Sequence, residues 1–367
     1  MKVLMTADAV GGVWSYALEL ARALAPRGVE IVLATMGPRP SALRREEAAR
    51  CRNVRLETSD FRLEWMQSPW TDVARAGEWL LALEQREHPD LVHLNGYVHA
   101  ALPWHAPVCV VAHSCSCSWW RAVKHEPAPE SWDRYRAAVR KGLDSAAIVI
   151  APTCAMLDAL TTEYGHVEHT RVIYNARRAS EYPVLEKERL VLTAGRMWDE
   201  AKNVSALGCV APSIEWPVYV AGESAMPGFE GMEPTSCCSL GPIEHGALAR
   251  WMGRASIYAS PARYEPFGLS VLEAALAGCA LVLGDIPSLR ELWRDAALFV
   301  DPDDHDQIAY TLQRLIADGE LRHTIARRCR TRAFAFDPRE MASGYLHAYE
   351  SALAGAGAWR EERRCAS

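Results

Sequence analysis

The chain has 367 residues, a length that allows two domains of ordinary size, each with its own buried core. Half of the residues are hydrophobic, 23% are charged and the formal net charge is −6, so a soluble globular protein is expected and nucleic acid is disfavoured as its main partner. No apolar run in the sequence approaches the length of a membrane span. The eleven cysteines, an odd number without the spacing of a disulfide framework, predict reduced thiols, and we expect a cytoplasmic location.

Strands and helices alternate in the first half of the sequence. Strand Val3–Thr6, the glycine-containing turn 7–12, an apolar-periodic helix and strand Ile31–Ala34 form a βαβ unit, which implies a parallel sheet. The turn lacks the GxGxxG fingerprint, so a nicotinamide dehydrogenase is the least favoured interpretation. The later strands are predicted at Val54–Leu56, Leu91–Leu94, Val108–Ala112, Ala147–Ala151 and Val172–Tyr174, with helices at Trp70–Glu87, Ser131–Gly142 and Ala155–Tyr164. Six or seven strands predict a doubly wound α/β domain.

The alternation starts again after Arg177–Glu188, a polar segment with a proline and no apolar period, which we interpret as an interdomain linker. The second set of strands is predicted at Leu190–Ala194, Pro217–Ala221, Ser256–Ala259, Ala280–Leu283 and Leu298–Val300, and the last helices at Asp304–Asp318, Leu321–Ala335 and Met341–Leu353. Two such halves predict a ligand cleft at the carboxyl ends of both sheets.

The stretch Ser260–Glu273 is the clearest candidate site. Two prolines stop regular structure, and a helical pattern begins at Gly268. The start of this helix is expected to carry unpaired backbone N–H groups and the positive end of the helix dipole, which together form an anion site. Glu265 precedes the helix and Glu273 lies within it. An anion flanked by carboxylates indicates a ligand that also carries hydroxyls, as a nucleoside diphosphate sugar does.

Two basic residues follow strand Leu190–Ala194, at the strand end where a parallel sheet has its ligand crevice. Arg196 can bind two phosphate oxygens and Lys202 supplies a point charge, although cations in loops are commonly only solvated. Because an anion site is predicted in the same half, a phosphate contact is favoured.

Three features of the first half have both a structural and a functional interpretation. His113, at the end of a buried strand, is either structural or a contact to a hydroxyl or phosphate. The pair Gly11–Gly12 either makes a tight turn or lets the backbone approach a ligand. Trp119–Trp120, predicted to lie in the loop after His113, either join the core or form a platform for an acceptor.

Metal sites have weak support in the sequence. Cys115 and Cys117 form a CxC without a second ligand pair at suitable spacing. Asp303 and Asp304 lie between a strand and a helix, and either residue is expected to cap the helix rather than bind a cation.

Taken together, these motifs resemble the family 4 glycosyltransferases, retaining enzymes with the GT-B fold. The most specific element is PARYEPFGLSVLEAALAGCALV, a full E-x7-E motif, followed by GDIPSLREL. The other marks are Gly11–Gly12, Asn175 in VIYN, Arg196 with Lys202, and Ala221–Glu223, and matches run from about Lys2 to Pro302.

The family implies a GT-B architecture of two doubly wound Rossmann-like domains that face each other across a cleft. Residues 1–178 would form the acceptor-side domain and residues 179–338 the nucleotide-sugar donor domain. Residues 339–367 would contain a helix that crosses back to the first domain, followed by a tail.

The resemblance also implies roles for individual residues. Catalytic roles fall to Arg196 and Lys202, which would hold the donor diphosphate and stabilise the departing nucleotide, to Glu265, which would bind hydroxyls of the donor sugar, and to His113, near the transferred sugar. Donor-binding roles fall to Gly12, to the backbone around Phe267, Gly268 and Leu269, and to Glu273 on the ribose. Relatives generally need no metal, so no metal or cofactor is expected.

Three departures from the family pattern concern individual contacts. Ser114 follows His113 where many relatives have an acidic residue, Asn175–Ala176 replaces NG, and five residues rather than the commoner four separate Arg196 from Lys202. The sequence leaves the sugar and the acceptor open: glycan, lipid or small molecule. Peripheral membrane contact also stays open. Alternative functions are a nucleotide-sugar epimerase or hydrolase on this scaffold and a non-catalytic nucleotide-sugar binding protein.

Overall fold

A computed structural model describes residues 1–8, 11–224 and 236–365. It divides into two compact units: unit 1 comprises Met1–Ser118, Pro127–Asn175 and Pro338–Ser367, and unit 2 comprises Trp119–Glu126 and Ala176–Asp337. The predicted limits, 1–178 and 179–338, place residues 119–126 in the first domain, whereas this division groups them with unit 2.

Unit 1 contains, within its described residues, one parallel sheet of seven strands in the order β3-β2-β1-β4-β5-β6-β7. The strands are β1 Lys2–Asp8, β2 Glu30–Met36, β3 Val54–Thr58, β4 Leu91–Leu94, β5 Val108–Val111, β6 Ile148–Ala151 and β7 Thr170–Val172. Each predicted strand is present, although β7 begins two residues earlier than expected. The strand order reverses at β1, which places the ligand crevice of this sheet beyond the carboxyl ends of β1 and β4.

Six α-helices of the described chain lie between these strands in sequence, although residues 119–124 of the fourth group with unit 2. They are α1 Gly12–Leu24, α2 Ala42–Ala49, α3 Trp70–Glu87, α4 Ser116–Lys124, α5 Asp133–Ser145 and α6 Cys154–Tyr164. The prediction that Trp119–Trp120 lie in a loop is wrong, because both residues are in α4. Their indole rings contact each other edge to face, with centroids 5.9 Å apart.

Unit 2 contains a second parallel sheet, with six strands among the residues described, in the order β10-β9-β8-β11-β12-β13. The strands are β8 Glu188–Ala194, β9 Val218–Ala221, β10 Cys238–Gly241, β11 Ala255–Ser260, β12 Ala280–Gly284 and β13 Leu298–Val300. The central strands β11 and β12 are buried along their whole length, as is typical of the central strands of a parallel sheet. Strand β10 was not predicted, because this edge strand is short and largely exposed.

The helices of unit 2 flank this sheet. They are α7 Val204–Val210, α8 His245–Arg254, α9 Leu269–Leu276, α10 Pro287–Trp293, α11 His305–Ala317 and α12 Gly319–Ala333. Asp304 caps α11 by accepting from the backbone N–H of Gln307 at 2.9 Å, which confirms the capping interpretation for this residue.

Residues 177–188 do not form a simple exposed linker. Arg177 is 4% exposed and Tyr182 2% exposed, and both belong to unit 2. Polar composition led to the linker interpretation, but the buried Arg177 pairs with a buried carboxylate, that of Glu273.

The last helix, α13 Pro338–Cys365, belongs to unit 1 although it follows unit 2 in the chain. Tyr345 and Tyr349 on this helix are buried beside Tyr16 of α1, whose ring centroid lies 6.0 Å from that of Tyr345. None of the helices in the described residues combines the length and the hydropathy needed to cross a bilayer.

Candidate functional site

The start of α9 is the predicted anion site, and its geometry follows from Gly268. This residue precedes the helix with φ +85° and ψ +65°, a left-handed conformation that side-chain-bearing residues rarely adopt. Its backbone N–H donates to Oε1 of Glu265 at 3.0 Å. The expectation that the Gly268 amide is unpaired is therefore wrong for this structure, because a carboxylate of the chain itself lies on the N-terminal end of the helix.

Glu265 also forms an ion pair with Lys202. Oε2 of Glu265 accepts from the Lys202 Nζ, and the two side chains are 12% and 24% exposed. The backbone carbonyl of Glu265 accepts from the hydroxyl of Ser288, which fixes the turn that carries the carboxylate. The folded chain thus joins Lys202, Glu265 and Gly268, three predicted site residues that are far apart in sequence.

Lys202 is positioned by the tight turn that follows β8. Asn203 adopts a left-handed conformation with φ +52°, and its side-chain amide donates to the backbone carbonyls of Pro261 and Pro302 at 2.9 and 2.7 Å. The turn is therefore anchored to the loop after β11 and to the loop after β13. A lysine held by such an anchored backbone can direct its charge with little loss of entropy on binding.

Arg196 lies in the same turn but has a different partner. Its Nη2 donates to Oδ2 of Asp199 at 2.8 Å, and its guanidinium carbon lies 4.9 Å from the ring centroid of Trp198. Asp199 is 8% exposed and also accepts from the indole N–H of Trp119 at 3.2 Å. Sequence reasoning missed Asp199, since an acidic residue beside a predicted phosphate-binding arginine looked like ordinary loop composition.

A close backbone contact supports the same turn. Gly222, directly after β9, has φ +146°, and a Cβ atom on it would lie 1.9 Å from the carbonyl oxygen of Gly195. The N–H of Met197 donates to the carbonyl of Glu223 at 2.9 Å, which pairs the two loops. The AGE mark in the sequence therefore has a steric reason, because only glycine fits beside the residue that precedes Arg196.

Phe267 and Leu269 have apolar side chains directed into the protein. Phe267 is 4% exposed and its ring packs edge to face on Phe336, with centroids 5.6 Å apart. Leu269 is half-buried against the same hydrophobic core. Only the backbone groups of these two residues are suited to contact a polar ligand.

Glu273, on the second turn of α9, does not join the Glu265 cluster. Its Oε1 accepts from Nε of Arg177 at 2.7 Å, and both side chains are buried. Tyr182 lies beside this pair: burial and then the charge of Glu273 raise the pKa of its hydroxyl well above the usual range. Sequence reasoning also missed Arg177, which precedes Glu273 by almost one hundred residues.

His113 and Gly12, the remaining predicted site residues, belong to unit 1. Gly12 is the first residue of α1, and Gly11 before it has φ +83° with open space around the position of a Cβ atom. The positive φ therefore explains the glycine at position 11. Ala9 and Val10 of the predicted turn 7–12 lie outside the described residues.

Hydrogen bonding fixes the tautomer of His113. The side-chain N–H of Asn95 donates to the backbone carbonyl of Thr6 at 2.6 Å, so Oδ1 is the end of the Asn95 amide that faces the imidazole. Nε2 of His113 lies 2.8 Å from Oδ1 and must carry the proton, because an amide oxygen only accepts. Burial, and then neighbouring His93, lower the pKa of His113 to about 3, so Nδ1 is left as a hydrogen-bond acceptor.

The side-chain oxygen of Asn95 also accepts a hydrogen bond from a second imidazole, that of His93. Nε2 of His93 lies 3.1 Å from Oδ1, and the hydroxyl of Tyr349 lies 2.6 Å from Nδ1 of His93. By the same argument, His93 donates from Nε2 and accepts at Nδ1 from the tyrosine. This network ties α13 to Asn95 at the carboxyl end of β4, and Asn95 in turn holds His113, which follows β5.

We predict that His93 makes unit 1 sensitive to acid. Burial lowers the pKa of His93 to about 4, below the value of about 6.5 in an unfolded chain, so the unfolded state binds the proton more readily. Stability is fully present above about pH 6.5 and is lost as the pH falls towards 4. Between pH 7 and pH 4.5 this loss amounts to about 2 kcal/mol. In urea unfolding at both pH values, His93→Gln should reduce the loss by about that amount.

His166→Gln is the control for this measurement, because His166 is exposed. A His93→Gln chain whose stability falls between pH 7 and pH 4.5 as steeply as the unsubstituted chain would contradict the assignment.

Glu64 is a further titratable group of unit 1 that sequence reasoning did not single out. Its carboxylate accepts from the backbone N–H groups of Tyr97 and Val98, at 3.2 and 3.1 Å. Burial raises its pKa to about 7 despite these hydrogen bonds. The residue lies in a connecting segment of the first half, and no periodicity or motif marked it.

Metal chemistry finds no geometric support in the parts of the chain that are described, where no three His, Cys, Asp or Glu side chains converge to hold an ion. Cys115 and Cys117 are buried, and the sulfur of Cys115 lies 2.9 Å from the hydroxyl of Tyr164. Asp303 pairs with Arg263.

Two family models match the chain. Glycosyltransferase Family 4 matches residues 10–179, and Glycosyl transferases group 1 matches residues 233–332. The two matches follow each other along the chain, and the second includes Glu265 and Glu273.

Curated relatives agree with these matches. The chain is 23% identical over 252 residues to O-antigen chain mannosyltransferase B of Escherichia coli, covering 60% of this chain and 65% of that protein, less than two thirds of its length. It is 25% identical over 392 aligned positions to glycogen synthase of Mycobacterium tuberculosis, covering 94% of this chain and 92% of that protein.

A solved structure shows the fold. The Anabaena protein Alr3699/HepE in complex with UDP-glucose superposes with a TM-score of 0.77 at 17% identity, covering 96% of this chain and all of that one. This likeness confirms the predicted GT-B fold.

Proposed function

We propose that the chain is a family 4-type glycosyltransferase that transfers a sugar from a nucleotide-sugar donor to an acceptor hydroxyl with retention at the anomeric carbon. The observation that carries the proposal is the cluster of Lys202, Glu265 and the Gly268 N–H at the start of α9. An ammonium group and a helix N-terminus are suited to a diphosphate, and a carboxylate is suited to sugar hydroxyls.

Binding of the donor would exchange partners within this cluster. Lys202 and the backbone amides of Phe267–Leu269 would turn to the diphosphate, and the carboxylate of Glu265 would turn to hydroxyls of the sugar. The Lys202–Glu265 pair supports this assignment, because it keeps both charges compensated until the ligand brings its own groups. Arg196, oriented by Asp199, would supply the second cation, and Glu273 would contact the ribose.

The transfer step would break the bond between the anomeric carbon and the phosphate oxygen and form a bond from the acceptor oxygen on the same face of the sugar. The acceptor proton would pass to the leaving phosphate oxygen, so no dedicated base is assigned. Lys202 and Arg196 would stabilise the negative charge that develops on the nucleotide. His113 would accept a hydrogen bond from a sugar hydroxyl through Nδ1, the acceptor that its tautomer provides. The reaction would need no metal.

A donor panel tests the proposal. UDP, GDP and ADP sugars would be incubated with the full chain and candidate glycan, lipid and small-molecule acceptors, and the products identified by mass spectrometry. UDP sugars come first, because the Anabaena structure holds UDP-glucose. We expect one donor class to yield a glycosylated acceptor with the anomeric configuration of the donor, at a rate that EDTA does not reduce.

The same panel without acceptor separates the alternatives. Release of free sugar at the full rate would indicate a hydrolase, a converted nucleotide sugar an epimerase, and binding without turnover a binding protein. Each of these outcomes would contradict transfer. Failure of the whole panel to bind, measured by calorimetry, would contradict the assignment of the α9 cluster to a diphosphate.

A further inference from the structure

A buried arginine holds one carboxylate of the E-x7-E motif. Nε of Arg177 lies 2.7 Å from Oε1 of Glu273, and the side chains are 4% and 7% exposed. Both residues belong to unit 2. The contact joins the segment before β8 to the second turn of α9.

Because both side chains are buried, the loss of either partner of this ion pair would be costly. The other residues of α9 from Val271 to Leu276 are apolar and buried, so Glu273 is the one charged residue in this buried stretch of the helix. A carboxylate in such a place needs a charged partner, and removal of that partner leaves an uncompensated charge. Arginine suits the task because its planar guanidinium stays protonated and fixes the geometry of the pair.

The Arg177–Glu273 pair is relevant to ligand binding because the start of α9 carries the candidate donor cluster. Gly268 and Glu265 at its first turn form the candidate donor cluster, and Glu273 lies one turn further along the same helix. Fixing Oε1 by a hydrogen bond from Arg177 fixes the rotation of the carboxyl group and therefore the position of Oε2. An oxygen held in one place discriminates between ligands better than a freely rotating one.

We propose that Arg177 is a positioning residue that orients the Glu273 carboxylate toward the ribose hydroxyls of the donor nucleotide. The proposal rests on the proposed donor role of Glu273. In this role Arg177 would act on the ligand through Glu273, whose Oε1 it holds. Its effect is to make the protein select nucleotides that carry ribose hydroxyls.

Calorimetry of the full chain with paired nucleotides provides the test. The probes are UDP, GDP and ADP, each compared with its 2′,3′-dideoxy counterpart. We expect the unsubstituted chain to bind the ribonucleotide of the preferred base about tenfold or more tightly than the dideoxy form, and Arg177→Met to reduce this ratio to below about threefold. Arg178→Met is the matched control, because the adjacent side chain is 44% exposed and lies 3.9 Å from Glu181. The control should retain the ratio.

The ratio separates positioning from a structural role. A purely structural arginine would weaken both nucleotides in parallel and leave the ratio unchanged, which would overturn the proposal. Arg177→Lys keeps the charge without the planar geometry and replaces the methionine variant if the latter fails to fold, as judged by circular dichroism. In a Glu273→Gln background, Arg177→Lys should change the ratio no further.

Two possible results with the unsubstituted chain distinguish a wrong donor site from a wrong role of Arg177. If it binds none of the three diphosphates, the donor site itself is wrong and this inference falls with it. If it binds a diphosphate without preferring ribose hydroxyls, the site stands and the role of the Arg177–Glu273 pair is refuted.

Discussion

Lys202→Met is expected to lower kcat/KM for sugar transfer by a factor of about 10² to 10³, the range typical of losing one preorganised group on a developing negative charge. The reason is the position of Lys202 Nζ on the Glu265 carboxylate at the start of α9, in a turn anchored by Asn203. Initial rates with the donor found by the panel would measure the effect.

Arg254→Met is the matched control for this loss. Arg254 also pairs with a glutamate of unit 2, Glu188, with an Nε to Oε1 distance of 2.6 Å, but Glu188 begins β8 and the pair lies at the amino edge of the sheet. Its side chains are 41% and 46% exposed, so little effect on activity is expected. If Lys202→Met costs less than tenfold, about 1.4 kcal/mol of barrier, the lysine does not act on the departing nucleotide.

Glu265→Gln should separate binding from transfer in the same cluster. The carboxylate occupies Lys202 and the Gly268 N–H before the ligand arrives, so removing its charge should tighten binding of the free nucleoside diphosphate. Transfer should nevertheless fall, because an amide is a weaker acceptor for sugar hydroxyls than a carboxylate. Weaker nucleotide binding by this variant would show that Glu265 does not compete with the diphosphate.

Gly222→Ala is expected to destabilise unit 2 by roughly 3–5 kcal/mol and to reduce transfer further, through displacement of Arg196. The new methyl group would overlap the carbonyl oxygen of Gly195, 1.9 Å away, and a backbone atom cannot rotate aside as a side chain can. The φ angle of +146° adds strain of its own. Thermal unfolding and initial rates would measure the two effects.

Gly246→Ala is the control for this substitution. Gly246 lies in α8, and a Cβ atom there would contact only the end of the Arg250 side chain, at 3.8 Å. Alanine favours a helix, so this variant should keep or slightly raise stability. A loss below about 1 kcal/mol in Gly222→Ala would show that the loops after β8 and β9 relax easily.

The sequence predicted those parts of the molecule that depend on local pattern. A continuous apolar run located β5, and the helical spacing after Gly268 located α9. Strand β10 was not predicted because it is a short, largely exposed edge strand. Helix α4 was not predicted because its residues were interpreted as part of the loop that follows His113.

Within the candidate site, the sequence predicted only those residues that belong to recognised motifs. Lys202 and Glu265 were expected in one site, and their side chains do meet. Asp199, Arg177 and Glu64 were missed because each contacts a residue that is distant in sequence and that only the folded chain brings close. These residues are Trp119, Glu273 and Tyr97, respectively. The Gly268 amide was predicted to be unpaired, since sequence patterns do not show that a neighbouring carboxylate turns back onto the helix.

The division of the chain into units limits how its halves can be exchanged or expressed. A fragment of residues 176–337 would contain every strand of the second sheet but would lack Trp119–Glu126, which group with the same unit. Asp199, the partner of Arg196, would then lose the indole N–H of Trp119. A chimera that joins this second half to the first half of a relative would inherit that relative's residues opposite Asp199. The contact between Trp119 and Asp199 would then be one of the interactions to preserve when such a hybrid is designed.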